Sequence, residues 1–312
     1  MSDHVLVTGG AGFIGSHLVH RLLDEGQRVR VVDNLATGNR NRLGDLGGAI
    51  EFVEGDLADP AVSEAVLQDI DYVLHQAAVP SVQRSVKNPL ETNRANVTST
   101  LNLLEGCRKR GIRRFVYASS SSAYGDTPVL PKREDMPPNP LSPYALQKFV
   151  GERYCQIYFK LYSLETVSLR YFNVFGPSQD PYSEYSAVIP KFASQLREGK
   201  PIVVYGDGEQ SRDFTYVDNV VEANLLALRA PRAAGSVINI GCGERITLNH
   251  LIKSLEEILR VRAAIDYQPP RAGDVRDSLA DISLARELLG YLPRVAVTEG
   301  LRRTVACFAA GD

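Results

Sequence analysis

Apolar positions along the chain follow two alternating rhythms. Compact apolar runs at His4–Thr8, Arg28–Asp33, Ile50–Gly55, Tyr72–Gln76, Phe115–Ser119 and Thr166–Arg170 are bounded by glycine or polar residues and read as buried strands. Between most of them apolar residues recur three or four apart, as in Phe13, Ile14, Leu18, Val19, Leu22 and Leu23. Strand and helix in alternation predict a parallel sheet covered on both faces, an α/β doubly wound fold. Asp218–Ala230 reads as a further helix and Ser236–Gly241 as a further strand, and the runs Leu90–Arg110 and Tyr144–Tyr162 are long and amphipathic. The Pro-rich piece Thr127–Pro143 is expected to be an irregular connector.

Chemistry enters where the first strand ends. Glycines at Gly9, Gly12 and Gly15 lie between the strand His4–Thr8 and the helical run that starts at Phe13 and Ile14. Missing side chains there let backbone N–H groups and a helix N-terminus approach a pyrophosphate. A dinucleotide site also wants an acid about 20 residues downstream to accept hydrogen bonds from a ribose. Asp33, at the end of the second strand, is close to that spacing and favours NAD over NADP, because a carboxylate repels a 2′-phosphate. Arg40 and Arg42 count weakly the other way and read as part of a solvated loop.

Tyr144 and Lys148 stand at i, i+4, so a helix places them on one face, and Pro143 suits a helix start. A tyrosine has an ordinary pKa of about 10 and needs a nearby cation to act as a base. Upstream, the strand Phe115–Ala118 runs into Ser119, Ser120, Ser121 and Ser122. Hydroxyls at the carboxyl end of a parallel strand lie where ligands bind in open α/β sheets.

Composition narrows the classes. The 312 residues are 44% hydrophobic with net charge −2, an enzyme-like balance with no surplus that would suit nucleic acid or a membrane surface. Five scattered histidines offer no metal spacing. The four cysteines, Cys107, Cys155, Cys242 and Cys307, are far apart and read as reduced thiols of a cytoplasmic protein. A long apolar run and a basic-then-apolar leader are both absent from the sequence.

Taken in order, TGGAGFIG, Asp33-Asn34-Leu35, Gly55-Asp56-Leu57, His75-Gln76-Ala77-Ala78, SSSSAYGD, SPYALQK, the run Arg170–Pro177, Ser211-Arg212-Asp213-Phe214 and Arg271–Val275 span nearly the whole chain. In these stretches the chain resembles the extended short-chain dehydrogenase/reductases, and within them the nucleotide-sugar 4-epimerases. The resemblance implies a Rossmann-type sheet with a smaller C-terminal α/β substrate lobe. Residues 1–176 plus about 216–241 would bind NAD, and 177–215 with 242–312 the nucleotide sugar. It further implies a homodimer, with the two long amphipathic helices paired across it as a four-helix bundle.

The same resemblance implies roles. Tyr144 would take the proton of the sugar 4-hydroxyl as a phenolate, and Lys148 would lower its pKa and hold the nicotinamide ribose. Ser120 would hydrogen-bond the 4-oxygen, with Ser121 and Ser122 as close alternatives. NAD would lie against Gly9, Gly12, Phe13, Ile14, Gly15, Asp33, Asn34, Thr37, Gly38, Asp56, Leu57, Gln76, Ala77, Ala78, Asn96, Ser119 and Tyr171. A UDP-sugar would meet Ser81, Val82, Asn173, Val188, Lys191, Tyr205, Arg212, Arg271, Asp274 and Ser278, with the two arginines on the diphosphate and Asp274 on the uridine ribose.

Ser278 stands where a tyrosine narrows the pocket in epimerases restricted to plain hexoses. A small residue there implies UDP-GlcNAc/UDP-GalNAc as substrates, with UDP-Glc/UDP-Gal also admitted. UDP-glucuronate 4-epimerases are the alternative, but they tend to carry threonine in place of Asn173 and an arginine soon after the Gly-Pro, where this chain has Ser178-Gln179-Asp180. The acidic pair of 4,6-dehydratases is replaced by a serine and Ala123, and the serine stretch lacks the glutamate usual in decarboxylases. Sensor or scaffold proteins on this fold typically lose the tyrosine or the lysine; both stand here.

Overall fold

A computed structural model describes residues 2–44, 46–180, 187–270 and 275–310. Among them seven strands form one parallel sheet: β1 (His4–Thr8), β2 (Arg28–Asp33), β3 (Ile50–Glu54), β4 (Tyr72–His75), β5 (Arg114–Ser120), β6 (Thr166–Tyr171) and β7 (Val237–Ile240), in the order β7-β6-β5-β4-β1-β2-β3. The order reverses at β1/β4, and in open α/β sheets ligands bind at such a switch point, beyond the strands' carboxyl ends.

The unbroken apolar runs follow from burial on both faces. Val5 and Val7 of β1, and Val116 and Ala118 of β5, join one core, while Leu6, Phe115 and Tyr117 join the other. Helices α1 (Phe13–Asp24) and α5 (Val217–Arg229) cover the first face, and α2 (Ser99–Arg110) and α3 (Pro143–Tyr162) the second. Beyond the sheet, helix α4 (Val188–Arg197) packs on the helix Leu248–Leu259, and the strand Ile202–Tyr205 pairs in parallel with Ile265–Gln268. One apolar cluster runs from β1 through α5 into this smaller α/β unit, where it includes Ile189, Phe192, Ile202 and Leu251.

Two elements depart from the sequence reading. The run Leu90–Arg110 is not one regular helix: Pro89–Asn93 passes into a π-turn at Arg94–Thr98 before α2 begins. The turn directs Asn96 inward, where its side-chain oxygen accepts the Val79 N–H at 2.7 Å and its amide donates to Gln147 at 2.8 Å. Such π-bulges often sit beside functional sites. Pro143, read both as the end of the connector and as a helix start, opens α3, where its missing N–H is harmless, and Ser142 caps Ala145 N–H at 3.2 Å.

Candidate active site

A cavity of about 920 Å³ opens across the carboxyl ends of β1, β4 and β5. That is the upper end of the ~300–1,000 Å³ usual for small-molecule sites. Its floor is the turn after β1. Gly9 has φ +66°, and a Cβ on it would stand 2.7 Å from the Ala77 nitrogen; at Gly15 a Cβ would stand 2.1 Å from the Gly9 carbonyl oxygen. The two positions therefore admit only glycine, and the close approach brings the start of α1 over the sheet end. Gly12 caps α1 without a side chain, so the first-turn N–H groups face a cavity lined by Gly12, Phe13, Ile14 and Gly15.

At the end of β2, Asp33 accepts the Ala11 N–H (3.0 Å) on one oxygen and the Leu35 N–H (2.8 Å) on the other. Burial pushes its carboxyl up, against the pull of those N–H groups and of the Arg42 guanidinium. Carboxylate oxygens hold more lone pairs than these two bonds use, so Asp33 can still accept from a ribose. Arg42 corrects the solvated-loop reading: it lines the cavity and donates to Ala11 O (3.3 Å) and Ser178 O (2.9 Å). Arg40 lies over the Phe52 ring, 4.4 Å from its centre. An uncapped helix start, a glycine floor and an acceptor at the second strand fit a dinucleotide.

Asn34, Thr37, Asp56, Leu57, Gln76, Ala77, Ala78, Ser119 and Tyr171 line the same cavity. Gly38, Ser81 and Asn96 stand off its wall. Gly38 packs on the Asp33 carboxylate, Ser81 accepts the Arg84 N–H at 3.0 Å to cap a short helix, and Asn96 holds the Val79 loop.

At the far end of the cavity the serine loop meets α3. Tyr144, Ser120 and Lys148 line this end of the cavity together. Ser120 Oγ accepts from Ser122 Oγ (2.8 Å) and Ser122 N–H (3.2 Å), which leaves its own hydrogen for Tyr144 or a ligand. Ser121 and Ser122 line the wall beside it. Burial raises the Tyr144 pKa, against the pull of the Ser120 hydroxyl. Lys148 is buried and donates to Ala118 O at 2.8 Å; burial lowers its pKa to about 8. His75, also buried, is pushed down to about 3 by burial and then by Lys148, and both its ring nitrogens bond threonine hydroxyls, Thr8 and Thr100.

The opposite wall comes from beyond the sheet. Asn173 has φ +31°, a conformation asparagine tolerates, and its amide donates to Asp213 O and to Ser278 Oγ, both at 3.0 Å. Asp213 is buried and accepts N–H groups of Cys242, Gly243 and Ala280, while burial lifts its carboxyl to about 6. Arg212 faces both the main cavity and an adjoining one of about 310 Å³ lined by Val188, Lys191 and Tyr205. Val82, Asn173 and Ser278 lie on the main wall. Arg271 and Asp274 lie outside the described residues. Sequence reasoning missed Lys132, buried and on the cavity wall with its ammonium bonded to Thr127 O and Oγ1 (2.5 and 2.7 Å); its setting in a Pro-rich loop carries no signal of burial. Among the described residues no group of three or more His, Cys, Asp or Glu could hold a metal ion, and no helix is long and apolar enough to cross a membrane.

Residues 5–241 match the NAD dependent epimerase/dehydratase family. A UDP-glucose 4-epimerase of Mycolicibacterium smegmatis is 39% identical over 307 residues, 97% of each chain. Among solved structures, a UDP-N-acetylglucosamine 4-epimerase from Methanobrevibacter ruminantium, in complex with UDP-N-acetylmuramic acid, aligns with TM-score 0.95 and 41% identity over the whole of both chains. A UDP-glucose 4-epimerase from Thermotoga maritima with UDP-glucose aligns with TM-score 0.94 and 40% identity, covering 99% of each. With its glycine floor, its Asp33 acceptor and its parallel sheet, the chain belongs to the NAD dependent epimerase/dehydratase family, as an extended short-chain dehydrogenase/reductase whose coenzyme is NAD.

Proposed function

We propose that the protein is a UDP-sugar 4-epimerase that interconverts UDP-GlcNAc and UDP-GalNAc and also accepts UDP-Glc and UDP-Gal. One observation carries the reading: Tyr144 and Ser120 meet on the wall of the cavity that also holds the dinucleotide cradle, with the buried Lys148 ammonium one turn along α3. Tyr144 as phenolate takes the proton of the sugar 4-hydroxyl and returns one to the 4-oxygen after inversion. Ser120 hydrogen-bonds that oxygen in both strokes. Lys148 supplies the positive charge that favours the phenolate. What the coenzyme contributes is a reversible store for the C4 hydride. The wall of Asn173, Val275 and Ser278 leaves room for the 4-keto sugar to turn over between strokes.

Lobe 177–215 with 242–312 receives the nucleotide, Arg212 and Arg271 on the diphosphate, Asp274 on the uridine ribose, and Val188, Lys191 and Tyr205 around the uracil. The N-acetyl preference is supported by Ser278, a small side chain on the cavity wall that accepts from the Asn173 amide. Asp180 on the cavity wall disfavours a uronate carboxylate by like charge. We also read the protein as a cytoplasmic homodimer. Leu90, Leu146, Ile157 and Leu161 expose large apolar surface on the mutually packed helices Pro89–Arg110 and α3, and Cys107 and Cys155 are buried free thiols. Light scattering checks the mass. The functional test is side-by-side turnover of UDP-GlcNAc, UDP-Glc and UDP-GlcA: the order written is the order expected, and turnover of UDP-GlcA alone would overturn the assignment.

A further inference from the structure

Behind the catalytic groups lies a buried polar chain that the proposed reaction does not use. Glu152 stands one helical turn past Lys148 on α3, with its side chain 2% exposed. Its carboxylate accepts from Arg170 of β6 in bidentate fashion, Nε at 2.9 Å and Nη2 at 2.6 Å. Ser119 Oγ donates to the same carboxylate at 3.0 Å. The Arg170 guanidinium lies over the Tyr124 ring, 4.6 Å from its centre, and the Tyr124 hydroxyl donates to Asn239 at 2.7 Å. Ser119 and Tyr124 flank the loop that carries Ser120.

A buried ion pair is a poor source of stability, because desolvation offsets most of its attraction and an apolar pair of similar volume often does as well. What it does supply is direction: two charges with fixed hydrogen bonds hold their elements in one register. The geometry that matters here spans two elements. Ser120 is the last residue of β5, where the serine loop begins; Tyr144 and Lys148 ride on α3. The Ser119–Glu152 bond joins those two elements directly, Arg170 fixes the carboxylate from β6, and the stacked Tyr124 fixes the far end of the loop. We propose that Glu152, held by Arg170, is a positioning residue that sets the register of the Ser120 loop against the Tyr144 helix. The proposal rests on the assignment of Tyr144 and Ser120 given above.

Ser119→Ala cuts the tie between loop and helix and leaves the ion pair whole. Glu152→Gln replaces one carboxylate oxygen with an NH2 group, which donates and cannot accept from Arg170. Both are measured as NAD-loaded enzyme on UDP-GlcNAc, with active concentration taken from bound nucleotide. Misplacement of a reacting group by a fraction of an ångström is expected to lower kcat about five- to tenfold in Ser119→Ala, with KM changed less than about twofold and thermal stability nearly kept. Glu152→Gln should lower kcat further and also lose stability. Wild-type kcat in Ser119→Ala, with or without a rise in KM, overturns the proposal, and that variant decides the matter if Glu152→Gln does not fold. Tyr144→Phe, run alongside, separates the two levels. Normal turnover there refutes the underlying assignment, whereas a dead Tyr144→Phe beside a fully active Ser119→Ala refutes only the positioning role.

Discussion

The reaction end of the cavity stands on long elements: Ser120 closes the seven-residue buried strand β5, and Tyr144 and Lys148 open the twenty-residue helix α3. The sugar end is held by slighter pieces. Arg212 sits in a two-residue strand, Asn173 just before another, and Ser278 in a loop joined to the rest by the hydrogen bonds of Asn173 and Asp213. Rigid elements fix distances closely, while loops accept change without loss of the core. The contrast suggests a division of labour in which the first region determines what is done to C4 and the second determines which sugar is brought there.

The sharpest way to break that division is at the base. Tyr144→Phe removes the proton acceptor and should lower kcat about 10³-fold on every UDP-sugar, with NAD retained. Loss on one sugar alone would show that the reaction end also selects. Lys148→Met should lower kcat on the order of 10²-fold, again irrespective of the sugar.

Lys148 also makes a prediction about stability. Its folded pKa of about 8 lies below the ordinary 10.5, so between those values the unfolded chain binds more protons than the folded one. Stability contributed by this residue therefore rises with pH across that window and is lowest below it. Coenzyme-free wild type should gain melting temperature relative to Lys148→Met as pH goes from about 8 to about 10. A constant difference between the two would mean that the ammonium is not penalised by burial. The smallest effect belongs to the coenzyme pocket: Asp33→Ser, with Arg42 kept beside it, should narrow the preference for NAD over NADP about tenfold by equilibrium binding.

What could be read from the chain follows the same line between near and far. β1 was legible to the residue because both its faces are buried and its apolar run is continuous, and β2 because Val29, Val31 and Val32 recur between Arg28 and the terminal Asp33. The cradle and the Tyr144–Lys148 pair were legible because their chemistry is local, within one turn or one helical step. The π-turn at Arg94–Thr98 was hidden, since the Asn96–Val79 bond that rewards it crosses 17 residues. Arg42 read as solvated because nothing nearby in sequence announces Ser178, 136 positions away, as its partner. Glu152 and Arg170 look like ordinary charges on a helix and a strand; only the stacking of β5, β6 and α3 makes them a buried pair.

One measurement tests the division most directly: the ratio of turnover on UDP-GlcNAc to turnover on UDP-glucose in Ser278→Tyr, set against the same ratio in Ser120→Ala. The account predicts that Ser278→Tyr lowers the ratio about tenfold or more, as a bulky ring fills the space for the acetamido group, while Ser120→Ala loses turnover on both sugars and leaves the ratio where it was. Equal loss on both sugars in Ser278→Tyr, or a shifted ratio in Ser120→Ala, would contradict it.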